Sequence, residues 1–448
     1  MLRKLWRSCA VLAVGVASIP SMAQAAPPLP PVPAAQSAQA PTQAPSSQPQ
    51  VWTWEQLRDR LQLSSPTLLA DKLNIDESKA EEITAYLRPN PSFNLSVDGT
   101  QIAPHDGVWR PFAGTFETPG LSYLHERRHK RELRLESQKK ATSIAIFSHD
   151  DLNRTTLFNL RSAFVSTLQA KATLQLAKDD LAYWDKVLKI SRDRFDAGDI
   201  AQIDLDRLEL QRVQYEADVQ TAEVNLRTAK IELLTMLNDR TPIEQFDVAG
   251  KFDFDDQLAP HEEFRKIAMD TRPDLKAAVE SVEKAQADHK LAVANGSTDP
   301  TFGAWYTHNA STNNPDAYDT LGVSISIPLR VFDRNQGEKL RTELDITRNQ
   351  RLRDAAEAQV LSDVDTGYAT IDSNLILLRP YKQKYLAQAL RVRDTIFFSY
   401  QHGGAALLDF LSAESDYRAV QLSYINLVGA YLMAAAQLNE AVGREVIQ

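Results

Sequence analysis

The chain has 448 residues, with 50 lysines and arginines against 59 aspartates and glutamates, a formal charge of −9. That balance argues against nucleic acid as a partner. The single cysteine, Cys9, lies near the start, so disulfides and thiol chemistry are excluded from everything downstream.

Residues 1–25 read as a secretory signal peptide. Arg3, Lys4 and Arg7 form a basic start, Ala10 to Ile19 an apolar centre too short to span a bilayer, and Ala23-Gln24-Ala25 a small-residue cleavage site. Its removal takes the charge from −9 to −12. Residues 26–50 are a Pro/Ala/Gln linker with almost no large apolar side chain, expected to be disordered because it cannot bury enough surface to offset its ordering entropy.

From Trp52 to about Leu87 the pattern is helical, broken near Pro66 and ended by Pro89 and Pro91. Two alternating stretches follow, Phe93 to Asp98 and, more weakly, Phe112 to Glu117; period two predicts strands. After Pro119 a very long helical tract is expected, from about Gly120 to Asp196. The basic run from His125 to Arg131 reads as a solvated helix start, or as a contact for anionic lipid headgroups. His125 and His129 are its one ligand-like pair, with solvation expected over metal binding. A return helix begins near Ile203, where Leu205, Leu208, Tyr215, Val219 and Ala222 recur at three- and four-residue spacing, a coiled-coil seam. The acidic segment around 241–270 is read as a linker outside the main bundle.

The same order then repeats. Ser65-Pro66 corresponds to Arg272-Pro273, Asn90-Pro91 to Asp299-Pro300, and Gly198-x5-Asp204-x4-Glu209 to Gly403-x5-Asp409-x4-Glu414, at offsets of 207, 209 and 205 residues. The second copy has strands at Phe302 to Tyr306 and Leu321 to Ile327, then Pro328 and a helical tract from about Gln336 to Gln401. The expected division is a first structural repeat over 51–240, an inter-repeat (equatorial) linker over 241–270 and a second repeat over 271–448. Gly198 and Gly403 are expected at positive φ, ending one helix and reversing the chain, with Asp204 and Asp409 at the start of each return helix. The predicted fold is mainly α with a small β part, built from a duplicated helix-strand-strand-helix-helix unit.

Four strands per chain cannot close a barrel, and open edges are not tolerated in lipid. Three chains supply twelve strands, which points to a trimeric 12-stranded outer-membrane β-barrel continuing into a long coiled-coil α-barrel.

The doubled glycine hairpin resembles that of the outer-membrane efflux protein family, the TolC-like trimeric channels, over roughly residues 52–443. Tyr400-x-x-Gly403-x5-Asp409-x-Leu411 is similar to the family's second inner hairpin, and Arg194-Phe195-x-x-Gly198-x5-Asp204 to its first. The resemblance implies a homotrimer in the outer membrane, in contact with its lipid and with most of its mass in the periplasm. It also implies a tip that opens when a periplasmic adaptor and an inner-membrane pump, of the RND type, dock. It places Asp204, Tyr400 and Asp409 at the pore gate, and Arg194, Gly198 and Gly403 at the hairpin turns and adaptor docking site. Ala405 and Ser412 depart from relatives that carry an arginine and a second acidic residue there, which puts the family's lock on the tip in doubt.

Pro328-Leu329-Arg330-Val331-Phe332-Asp333-Arg334-Asn335-Gln336-Gly337 looks like the strand-to-helix junction of the heavy-metal efflux (CzcC-like) branch, and Glu117-Thr118-Pro119-Gly120 like the matching first junction. Asp333 with Gln336 is expected to form a capping box; a plain helix-start signal without substrate information is the other reading. No phosphate loop, HExxH or Cys/His cluster is present, so no enzyme, cofactor or dedicated metal site is expected. The function expected is passive conduction through an exit duct, with heavy-metal cations as one cargo. The alternative is a periplasmic coiled-coil adaptor or scaffold. Asp204 and Asp409 have two readings, acidic rings favouring cations in a narrow pore or simple helix caps.

Overall fold

A computed structural model describes residues 50–104, 106–112, 114–309 and 318–447. The expected signal peptide, and the linker as far as residue 49, lie outside the described residues. The first half runs β1 (Gln50–Trp52), α1 (Trp54–Ser64), α2 (Pro66–Tyr86), β2 (Ser92–Asp98), β3 (Phe116–Leu124), α3 (Lys130–Asp196) and α4 (Gln202–Met236). After β4 (Phe246–Val248), the second half repeats it. It has α5 (His261–Thr271), α6 (Pro273–Asn295), β5 (Thr301–Asn309), β6 (Asp319–Ser326), α7 (Gln336–Pro380), α8 (Leu386–Gln401) and α9 (Leu407–Val442).

The first helix break is shared by the two halves for one reason. Pro66 and Pro273 each take the first helical position, where a missing N–H costs nothing. The residue before each is held differently. The Ser65 hydroxyl accepts the Leu68 N–H at 3.5 Å. Arg272, 3% exposed, reaches Asp274 at 2.7 Å and Asp363 at 3.0 Å and donates to the Ala441 carbonyl at 3.1 Å.

Strands β2, β3, β5 and β6 form one antiparallel sheet in that order. Its register sorts the side chains cleanly. Phe93 lies opposite Leu121, Leu121 opposite Ala304, and Ala304 opposite Val323, so one face carries an apolar row. The other carries Asn94, Ser96, Thr118, Ser122, Gly303 and Ser324, with Thr118 and Thr307 joined through their hydroxyls at 3.1 Å. Period two in the sequence is responsible, since successive residues point to opposite faces. Gly322 is required on the second face, where a Cβ would lie 2.3 Å from the Trp305 ring.

Pro119 and Gly120 are corrected by the structure. They are not a strand-to-helix junction but the middle of β3, which starts at Phe116; Phe112 and Gly114 precede it in a turn. Pro119 pairs with Leu95 of β2, while the register to β5 skips Thr118 and Pro119. Proline has no N–H to give, so it interrupts one ladder without ending the strand. Gly120 faces Trp305, whose Cβ would be 3.2 Å from an added methyl. Helix α3 therefore begins ten residues after Gly120, behind His129 in the left-handed region (φ 55°). Asn335, before α7, has the same conformation (φ 62°), so the two junctions do correspond, 206 residues apart.

Pro328 follows the end of β6, and Gln336 and Gly337 open α7 as expected. The capping box is not formed. Asp333 Oδ1 accepts the Asn335 N–H and Gln336 Oε1 the Arg334 N–H, each at 2.8 Å. The left-handed Asn335 turns the chain one residue before the helix, and both side chains satisfy the turn instead. The histidine pair also changes meaning, because His125 packs on Phe302 and only His129 borders the helix. The basic run around it is tied down: Arg127 donates to the Thr298 carbonyl and Lys130 meets Asp299 at 2.6 Å.

At about 1.5 Å per residue, the 67 residues of α3 extend about 100 Å. The matching second tract is not one helix. Pro380 withdraws a backbone donor, and Tyr381–Tyr385 widen into a π turn before α8 resumes. Helix α9 is long and apolar enough to cross a bilayer by composition; the fold packs it against α3, α7 and α8 instead.

Two further expectations are corrected. The chain has six described strands rather than four, because β1 pairs in parallel with β4; Gln50, assigned to the linker, is the first residue of β1. Nor does the segment 241–270 stand outside the bundle. Phe254, Phe264 and Ala268 share a core with Val364 of α7 and Leu438 of α9, and Lys171 of α3 reaches Asp247 at 2.6 Å. Its apolar residues are too sparse to show a period, yet Phe246, Val248, Phe254, Phe264 and Ala268 are buried.

Candidate functional site

The two helical hairpins, α3–α4 and α8–α9, end in turns of the same design. Gly198 (φ 82°) and Gly403 (φ 74°) sit one residue beyond each C-cap. The residue after each glycine donates back five positions, Asp199 to the Arg194 carbonyl at 2.9 Å and Gly404 to the Ser399 carbonyl at 2.8 Å. This is the Schellman pattern, which satisfies carbonyls the helix end leaves open. An added Cβ would meet nothing at either glycine, so left-handed φ alone demands it. Gly198→Ala and Gly403→Ala should each cost about 1 kcal/mol, read as faster proteolytic nicking at the substituted turn. Unchanged cleavage at both turns would contradict this.

Behind the turns the hairpins are joined by aromatic rings. Phe410 stacks between Trp184 (5.9 Å, 7°) and Tyr400 (5.5 Å, 9°), and Trp184 lies 5.1 Å from Tyr215. The Trp184 indole N–H donates to the Leu208 carbonyl at 2.9 Å, so its one polar atom is satisfied where the ring is fully buried.

Arg194 and Tyr400 are brought together. The Arg194 guanidinium lies 5.1 Å over the Tyr400 ring and donates to the Tyr400 carbonyl at 3.2 Å, tying the last turn of α3 to that of α8. Tyr400 departs from an expected place at a pore surface, because its ring is only 6% exposed, packed beneath Phe410. Burial pushes its phenol above the ordinary value; Arg194 opposes the shift and Asp204 adds to it. Asp204 and Asp409 occupy the third position of α4 and α9, in the first turn of each. Asp409 Oδ2 accepts the Ala406 N–H at 3.1 Å, which makes it a cap. It is exposed and Asp204 is half-buried, so both carboxylates are accessible.

Sequence reasoning missed Trp184 and Phe410. It also missed that the paired glutamates of the repeat diverge: Glu209 meets Arg192 at 2.8 Å on the surface, whereas Glu414 is 2% exposed. A signal existed. Helix α9 as a whole is more apolar than α4.

Residues 265–444, most of the second repeat, match the family model described as Outer membrane efflux protein. Over that span the chain is similar to the outer membrane efflux protein family. It is 20% identical over 394 residues to the cobalt-zinc-cadmium resistance protein CzcC of Cupriavidus metallidurans, covering 85% of this chain and 87% of that protein. It is also 20% identical to the outer membrane protein TolC of Escherichia coli over 323 residues, 69% of this chain and 65% of that protein. Among solved structures it resembles CusC, described in relation to transmembrane channel formation, with a TM-score of 0.74 at 15% identity, over 87% of this chain and 92% of that one. At that identity the likeness is one of fold.

Proposed function

We propose that three copies of this chain form an outer-membrane exit duct of a tripartite efflux system, conducting passively what an inner-membrane pump expels. One observation carries this reading. The four-stranded sheet has an apolar face and a hydroxyl-rich face, and its outer strands β2 and β6 have no partner on their far sides among the described residues. Such edges are not stable in lipid, and pairing β6 of one copy with β2 of the next closes a twelve-stranded ring. Phe93, Leu95, Leu121, Val323 and Ile325 then face lipid, and serine and threonine face water.

Helix α4 adds support. Its seam residues pack inward, but Ile203, Leu210, Val224 and Ile231 form a second row on a seven-residue spacing, exposed by 58%, 72%, 58% and 46%. A helix apolar on two sides packs between two neighbours, as the wall of a helical cylinder requires. The hairpin turns are the docking ends for a periplasmic adaptor and an RND-type pump. The likeness to a protein named for cobalt, zinc and cadmium resistance favours heavy-metal cations as cargo.

In the trimer Asp204 and Asp409 would form two acidic rings, and such rings favour cations. In planar bilayers the wild-type channel should be cation-selective and blocked by divalent ions. The Asp204→Asn, Asp409→Asn double variant should bring the cation-to-anion permeability ratio close to unity and weaken divalent block at least tenfold. An unaltered ratio and block would leave capping as the only role of these residues. Purified mature protein that is a monomer in water without detergent would overturn the duct itself and favour the scaffold.

A further inference from the structure

Beside the aromatic rings, α3, α4, α8 and α9 enclose a second cluster made of charges. Glu414 of α9 is 2% exposed and Asp180 of α3 is 6% exposed. Each keeps one carboxylate oxygen, Oε2 and Oδ2, without a hydrogen bond, as do the neighbouring Arg418 Nε and Tyr183 hydroxyl. Arg393 lies over Tyr183 and Tyr417 at 4.5 and 4.2 Å, and Arg418 over Tyr215 at 5.0 Å. Both guanidinia are already engaged by other acids, Arg393 by Asp394 at 2.7 Å and Arg418 by Asp218. What remains for the buried pair is distant, 4.0 Å from Arg393 to Glu414 and 3.4 Å from Arg418 to Asp180. Facing them are thus Asp179, Asp180 and Tyr183 from α3, Tyr215 and Asp218 from α4, Arg393 and Asp394 from α8, and Glu414, Tyr417 and Arg418 from α9. Acids outnumber cations. A cavity of about 370 Å³, lined by Asp179, Asp180, Tyr183, Arg393 and Gln421 among others, adjoins the cluster and can admit water.

We propose that Glu414 and Asp180 are a proton-operated latch between the two hairpins, packed when both carry their protons and loosened when they ionise. An ionised carboxylate without hydrogen bonds in a buried site is unfavourable, whereas the neutral acid is tolerated there. Burial pushes Glu414 up to about 7, with Arg393 opposing, and Asp180 up to about 6, with Arg418 opposing. In the loosened state both would titrate at ordinary carboxylate values, near 4. Between those limits the packed form holds more protons, so packing weakens as pH rises and levels off above about 7. The loosened-to-packed ratio should rise by up to tenfold per pH unit for each of the two acids, Asp180 contributing up to about 6 and Glu414 up to about 7. The device lies within one chain and does not depend on the duct reading.

The test places spin labels at Asp199→Cys and His402→Cys, one on each turn, in a full chain whose one native cysteine, Cys9, is replaced by serine. Labelled protein is diluted with unlabelled protein in detergent, so that distances within one chain dominate. Between pH 5 and pH 8 the population with separated turns should grow at least tenfold. With Glu414→Gln and Asp180→Asn, near-isosteric with the protonated acids, growth should fall below twofold and the packed distance should persist at pH 8. A purely structural role would shift both pH values equally and keep the wild-type slope. That outcome, or a wild-type distribution that does not change with pH, overturns the latch. Glu414→Gln alone, the smaller perturbation, should remove most of the slope, and a wild-type slope in it would count equally against the proposal.

Discussion

Replacing Trp184 with alanine should destabilise the joined hairpins by about 3–5 kcal/mol. The indole is fully buried, stacks on Phe410 of α9 and contacts Tyr215 of α4, so one substitution cuts contacts between α3 and both return helices. It also removes the hydrogen bond from the indole to the Leu208 carbonyl. The size follows from the cavity: helices held by neighbours on several sides cannot collapse to fill the volume of an indole. Thermal unfolding followed by circular dichroism in detergent should show an earlier loss of helix, and Trp184→Phe should recover part of it. A Trp184→Ala protein that melts with the wild type would mean that the aromatic cluster does not hold the hairpins together.

Val323→Arg should prevent stable assembly in the membrane. Val323 lies in the row that runs Phe93, Leu121, Ala304, Val323 across the sheet and is 76% exposed. On the lipid face of a barrel, arginine near the midplane costs about 2–4 kcal/mol, and a trimer would bear that cost three times. Ser324→Arg, one residue on and therefore on the opposite face, should be tolerated, because a water-filled lumen solvates the guanidinium. The measurement is the yield of heat-modifiable trimer in outer-membrane fractions. Equal yields from both variants would remove the assignment of faces, and with it the main support for the barrel.

The repeat was legible because several local rules agreed at the same offset. Proline at a first helical position, glycine beyond a C-cap and an aspartate in the next first turn each act within a few residues, so each leaves its mark in the chain. The strands of the second copy were legible for a similar reason: Leu321, Val323 and Ile325 alternate without interruption. Proline misled at 119, where it sits inside a strand. Its own φ is compatible with extended backbone, and whether its missing N–H matters depends on a partner strand lying 182 or more residues away in sequence (301 − 119). Strand β1 and its partner β4 escaped notice because each is three residues long and shows no period.

The charged cluster shows where reading by pattern stops. Glu209 and Glu414 occupy the same place in the repeat, and the motif treats them alike. One is paired in solvent and the other is enclosed by four helices, and which acid is enclosed depends on the helices that surround it.

What the amino-acid order determined by itself is the duplicated unit, the hairpin turns and the apolar side of β2, β5 and β6. These depend on backbone geometry and side-chain period, which operate over a few residues. Only the tertiary structure decided which acids are buried, that Tyr400 lies beneath Phe410 with Arg194 across it, and that the inter-repeat segment belongs to the core. Those outcomes depend on which helices meet and at what height, and desolvation and close packing are properties of residues brought together from distant parts of the chain.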